Sequence, residues 1–193
     1  PVLTSFGGGF KTLIFGVSGA IGGALSDAVG GQKNAGVVFT TARSTSRLTA
    51  VDTHFTCDLA NEASIADVAT AVTEMAPFDL VINATGLLHD EAAGVHPEKA
   101  MRQISADAMA RVFGVNAIGP ALIMKYFLPL MGRDKKAVMA HLSARVGSIS
   151  DNRLGGWYSY RAAKAAQNML VRTAAIEFGR RAPGCARRLA RIR

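Results

Sequence analysis

The sequence predicts a doubly wound α/β domain on a parallel sheet. Short continuous apolar runs alternate with segments of helical period, and a glycine-rich turn joins the first run to the first helical segment. No internal repeat, long linker or second domain interrupts that order. A run apolar at nearly every position suits a strand covered on both faces, as a parallel sheet between two helical layers requires.

Taken in order, "KTLIFGV" (11–17) is such a run, and "AIGGALSDAV" after it turns to helical spacing. "GVVFTTA" (36–42), β-branched and aromatic, is the second strand, and "HFTCDL" (54–59) supplies a third. "SIADVATAVTEM" (64–75) predicts an amphipathic helix, and "FDLVINATG" (78–86) a buried strand ending at a glycine turn. Residues 105–131 carry helical periodicity, with Gly119-Pro120 as the expected kink. "KAVMAHLS" (136–143) is another strand, and 158–179 another helix.

The chain has 193 residues, 49% of them hydrophobic, enough for one substantial core. No run approaches the roughly 18 apolar residues of a membrane span, and no secretory leader pattern opens the sequence. Two isolated cysteines, Cys57 and Cys185, suit reduced thiols and a cytoplasmic setting. The histidines (His54, His89, His96, His141) show no metal-ligand spacing, so no metal is expected. His89 and Asp90 are adjacent but read as pocket-edge or surface residues rather than an acid/base dyad. A net charge of +8 would ordinarily suggest a polyanionic partner. Six arginines lie within residues 180–193, however, and taking them away leaves +2 for the rest. The basicity belongs to the tail, so no specific nucleic acid and no membrane partner is expected.

In such sheets ligands bind at the carboxyl ends of the strands. After the first strand comes "GVSGAIGGAL". A dinucleotide pyrophosphate needs a tight turn, a close backbone and a helix N-terminus, which assigns the turn to Gly16, the approach to Ser18 and Gly19, and close helix packing to Gly22. A plain flexible loop is the competing reading. The second strand ends "TTARS", with Arg43 and no acid. An acid there would hold the ribose 2′-hydroxyl of NAD, whereas arginine suits a 2′-phosphate, so NADP is favoured over NAD.

These motifs, in this order, resemble the short-chain dehydrogenase/reductase family. "GVSGAIG" is similar to its TGxxxGxG turn, with Ala20 where the middle glycine is usual. "CDL" (57–59) resembles the segment whose aspartate, here Asp58, contacts adenine, and "NATG" (83–86) its NNAG motif. Asn116 in "VNAIGP" sits at the position of the family's catalytic asparagine, and "YRAAK" (160–164) is its YxxxK motif. The run from Ser143 to Asn168 resembles the C-factor-like branch in particular, and the likeness as a whole covers residues 11–179.

The resemblance implies a Rossmann-type fold and an NADP-dependent oxidoreductase acting on a small carbonyl or alcohol. It implies Asn116, Ser143, Tyr160 and Lys164 as catalytic residues, with the lysine lowering the tyrosine pKa. For the cofactor it implies Gly16, Ser18, Gly19, Ile21, Gly22, Arg43, Ser44, Asp58, Leu59, Asn83, Ala84 and Gly86, together with Tyr160 and Lys164. Tyr158 has alanine four residues on and reads as a packing or pocket residue. The serine stays open: aligned on Gly147, the usual catalytic position falls on Ala144, and Ser143 and Ser148 are both candidates. A homodimer or homotetramer through helices 105–131 and 158–179 is implied too. The ending "CARRLARIR" departs from the pattern, which continues with an apolar strand after a Pro-Gly turn. A C-terminus truncated or altered relative to the family is therefore expected, with the last strand or strands missing and 180–193 an unstructured basic tail. A non-catalytic dinucleotide-binding or regulatory protein is the alternative on that ground.

Overall fold

The computed structural model describes residues 3–44, 53–181 and 187–192. Six strands form one parallel sheet: β1 (Phe10–Phe15), β2 (Ala35–Ala42), β3 (Thr53–Thr56), β4 (Leu80–Asn83), β5 (Ala137–Leu142) and β6 (Arg187–Ile192). Their spatial order is β3-β2-β1-β4-β5-β6. The chain runs outward from β1 to β3, then returns to β4 on the other side of β1. Strand order thus reverses between β1 and β4, and the crevice outside their carboxyl ends is where such a sheet binds ligands.

Successive side chains of one strand point to opposite faces, and the core divides accordingly. Leu13 and Phe15 of β1 face Ile65 and Val68 of α2 (Glu62–Ala71), Ile123 and Phe127 of α4 (Gly119–Phe127) and Val171 of α5 (Tyr158–Arg181). The rings of Phe15 and Phe127 meet edge to face, 5.0 Å apart. Ile14 points the other way, toward Val38, Ile82 and Val29 of α1 (Ala20–Gly30). The continuous apolar run in β1 is needed because both faces are covered.

Two expectations are corrected here. The helical segment 105–131 is not one α-helix kinked at Gly119-Pro120. It is α3 (Ala106–Phe113), a π-helical turn (Gly114–Ile118), then α4, with Pro120 in the first turn of α4, directly after the π turn. Residues 187–192, expected to lie in an unstructured tail, pair with β5 in parallel register from Ala137↔Arg187 to Leu142↔Ile192. Backbone pairing supplies what holds an outer strand to its one neighbour, so an arginine-rich strand is tolerated where an interior one would not be. The Pro183-Gly184 turn and Cys185 lie outside the described residues. No helix among the described residues is long and apolar enough to cross a membrane.

Candidate active site

The glycine turn after β1 opens a groove at the switch point. Gly16 has φ +89°, and a Cβ there would stand 2.7 Å from Thr85 Cγ2. Gly22, one turn into α1, would drive a Cβ into the carbonyl of Gly16 and to 3.1 Å from Val17 Cα. A side chain at Gly16 would collide with the loop after β4, and one at Gly22 with the backbone of the turn itself. Gly19 forms the N-cap of α1. Gly16, Ser18, Gly19, Arg43, Asp58, Leu59, Ala84 and Gly86 all line this one groove. Ile21 is exposed on α1, Ser44 is exposed just past β2, and Gly22 and Asn83 lie buried beneath the walls. Thr41, Cys57, Thr85, Leu87 and Val115 line it as well, without having been picked out in the sequence.

Below the floor, Asn83 Oδ1 accepts from the backbone N–H of Thr85 (3.1 Å) and its hydroxyl (2.6 Å), holding the turn after β4. Asn116 is fully buried in the π-helical turn. Its Nδ2 donates to Leu87 O (2.7 Å) and Val112 O (3.0 Å), and its Oδ1 accepts from Leu87 N–H (3.1 Å). Asn116 therefore fastens the loop after β4 to the helix behind it, and π turns recur at such functional sites.

Tyr160 and Lys164 stand one turn apart on α5. Lys164 is buried; its Nζ donates to Leu142 O at the end of β5 (2.9 Å) and to Gln167 Oε1 (3.0 Å). A Cβ at Gly86 would lie 4.0 Å from that ammonium, so Lys164 abuts the groove wall. Desolvation lowers the Lys164 pKa to about 8. Half-buried Tyr160 has its pKa raised by desolvation, opposite to the lowering expected from the lysine. The physical reason is placement: Nζ lies over the ring, 5.8 Å from its centroid, and donates to Leu142 O and Gln167 Oε1 rather than to the phenol oxygen.

Residues 21–182 match the family described as enoyl-(acyl carrier protein) reductase. The chain belongs to the short-chain dehydrogenase/reductase family. Among curated proteins it is 36% identical over 97 residues to the C-signal of Myxococcus xanthus, covering 50% of this chain and 54% of that one. It is 29% identical over 114 residues to the 1-hydroxy-2-glutathionyl-2-methyl-3-butene dehydrogenase of Rhodococcus sp. (strain AD45), covering 58% of this chain and 46% of that one. The matched segments thus span about half the length of those two relatives. The fold also superposes on the NADPH-bound carbonyl reductase from chicken fatty liver, with a TM-score of 0.76, 24% identity, and coverage of 89% of this chain and 72% of the other.

Against the family pattern, the serine position is unusual. Ser143 Oγ donates to Asn168 Oδ1 on α5 (2.7 Å), and Asn168 Nδ2 in turn donates to Gly147 O (3.3 Å). Ser148 Oγ lies 3.5 Å from Ser150 Oγ. Ala144, which has no hydroxyl, precedes the short 3-10 turn Arg145–Gly147. Tyr158 lines a separate surface depression with Val146 and Ile149.

Two anchors of the YxxxK helix escaped the sequence. Gln167 lies three residues after Lys164, on the same helical face, a spacing that was available as a signal. Glu98 was not legible, because it reaches α5 across 61 residues of chain. Buried Glu98 accepts from Ser159 N–H (3.3 Å to Oε2) and from the Ser159 hydroxyl, placing a carboxylate at the helix N-terminus. The Glu98 carbonyl also accepts from Trp157 N–H, at the one non-glycine residue of positive φ (+52°) among those described. His89 does not pair with Asp90: it meets Glu91, while Asp90 Oδ1 accepts from Ala93 N–H.

Proposed function

We propose that this protein is an NADP-dependent oxidoreductase interconverting a small carbonyl compound and its alcohol. The observation that carries the reading is the Tyr160–Lys164 pair set against the wall of a glycine-built groove. The groove fits a dinucleotide: Gly16 and Gly22 leave backbone where any side chain would intrude, and the amide end of α1 faces it. A bound nicotinamide dinucleotide supplies the hydride. Tyr160 supplies the proton to the substrate oxygen. The phenol is protonated at neutral pH, as reduction of a carbonyl requires, and the desolvation that raises its pKa must be offset when the substrate oxygen takes the proton. Lys164 holds positive charge beside the groove and ties α5 to the end of β5. Asn116 fixes the loop after β4, the wall that Lys164 abuts at Gly86. Ser143 is the polarising serine only if its hydroxyl leaves Asn168.

Arg43, exposed at the groove's rim with no acid ending β2, supports binding of a 2′-phosphate. Ile21 and Ser44 then belong to the cofactor's outer rim. Asp58 and Leu59 serve its adenine end. Exposed Met169, Leu170 and Ile176 on α5 support pairing of copies through that helix, which light scattering would report as a dimer or tetramer. The occupied Ser143 hydroxyl and Ala144 favour a second reading, a dinucleotide-binding protein without turnover. NADPH consumption across a panel of aldehydes and ketones separates the two. Turnover with any of them supports the oxidoreductase, and tight NADPH binding with no turnover on the whole panel supports the second.

A further inference from the structure

The loop between β4 and α3 carries a cluster that the oxidoreductase reading does not use. His89 Nε2 lies 2.9 Å from Glu91 Oε2, and His96 Nδ1 lies 3.7 Å from the same oxygen. The three ligating atoms all fall within 4.8 Å of one another, and the two imidazole rings stand 5.2 Å apart. In sequence these residues match no ligand motif. The backbone brings them together: Asp90 and Val95 exchange N–H···O=C bonds of 2.9 Å in both directions, and Gly94, at φ +62°, turns the chain between them. His89 and His96 directly flank that bridged pair. Val95 is buried among Val112, Ala117 and Ala163, in the cluster against which Tyr160 packs, so the clip is anchored to the domain.

The dimensions suit a metal ion. Nitrogen at about 2.0–2.1 Å and carboxylate oxygen at about 2.0–2.2 Å around a tetrahedral centre put ligand atoms roughly 3.3 Å apart. The observed 2.9 and 3.7 Å bracket that spacing, and rotation of exposed side chains closes the remainder. Two imidazoles and one carboxylate match zinc, cobalt or nickel, whereas magnesium and calcium take oxygen ligands. The other described histidines are placed differently: His54 Nδ1 pairs with the Thr40 hydroxyl and His141 is buried.

We propose that His89 Nε2, His96 Nδ1 and Glu91 Oε2 bind one divalent transition-metal ion of the zinc class, with water completing the coordination. The ion closes the Asp90–Val95 clip from outside and stabilises the loop behind the groove. This site is separate from Tyr160 and stands whether or not the protein turns over a carbonyl.

The test is titration of the full, tag-free chain with Co²⁺, read by visible d–d absorption, together with Zn²⁺ and thermal unfolding. One Co²⁺ per chain with tetrahedral-type bands is expected. His89→Ala and His96→Ala each weaken binding at least about tenfold, and the double variant abolishes the bands. Zn²⁺ raises the unfolding midpoint of the wild type but not of the double variant. The metal-free midpoints coincide, because both side chains are more than half exposed. Absence of Co²⁺ bands from the wild type, or equal binding by the double variant, overturns the site.

Discussion

Lys164 is buried with its charge retained, and that cost is measurable. A fall in pKa from 10.5 to about 8 amounts, at about 1.4 kcal/mol per tenfold in proton affinity, to about 3 kcal/mol against the folded state. Below pH 8 the ammonium is protonated in both folded and unfolded chains, so the whole cost is present. Between pH 8 and 10.5 the folded protein releases the proton while the unfolded chain keeps it, so stability rises with pH. Above 10.5 the cost is gone. Tyr160 acts in the opposite sense, but only as pH passes the ordinary tyrosine value of 10, because its folded pKa is raised. The buried Cys57 thiol, pushed up to about 11, also opposes the lysine as the unfolded thiol ionises near 9, but it does so equally in a protein that lacks the lysine. The difference between wild type and a Lys164 variant from about pH 7.5 to about pH 9.5 therefore isolates the lysine, and over that window the release amounts to about 2 kcal/mol. Urea unfolding of the wild type and of Lys164→Met at both pH values is the assay. The methionine variant leaves Leu142 O and Gln167 without their ammonium, which sets a constant offset between the proteins. The wild type should gain about 2 kcal/mol on the variant over the interval. An unchanged difference would mean that Lys164 does not carry a buried charge, and the electrostatics assigned to the site would be wrong.

Gly22→Ala places a methyl against the carbonyl of Gly16, where only backbone could give way. It should cost at least about 1–3 kcal/mol in urea unfolding and weaken NADPH binding measured by fluorescence. Gly19→Ala meets only ordinary contact, 3.5 Å from Gly16 O, and should be nearly neutral for stability. Equal stability losses would refute the packing assigned to the turn. Arg43→Asp should move the ratio of NADPH to NADH binding toward NADH by at least about tenfold, since a charge-assisted bond to a phosphate is lost and repulsion takes its place. An unchanged ratio would remove Arg43 from cofactor selection.

The sheet was legible because a doubly covered strand leaves no choice but continuous apolar residues, as in β1 and β4, and the glycine turn because Gly16 and Gly22 have no room for a Cβ. The YxxxK spacing places Tyr160 and Lys164 on one face of any helix. The direction of the Tyr160 pKa was not legible, since it depends on how deeply α5 packs against loops distant in sequence. The π turn at 114–118 and the Glu98 anchor likewise arise from tertiary contacts that spacing does not encode. β6 was missed because an outer strand is held by its backbone, and its arginines read as a solvated tail. The gathering of His89, Glu91 and His96 rests on a bridged pair that only the folded loop reveals.

Tyr160→Phe removes one oxygen and leaves the helix intact, and NADPH consumption with an accepted aldehyde or ketone at neutral pH reads its effect. Turnover should fall by at least about 100-fold, within the range that a positioned proton donor contributes, while NADPH affinity stays within about twofold of the wild type. Equal turnover in the two proteins would contradict a proton-donating Tyr160 and, with it, the assignment of this site to carbonyl reduction.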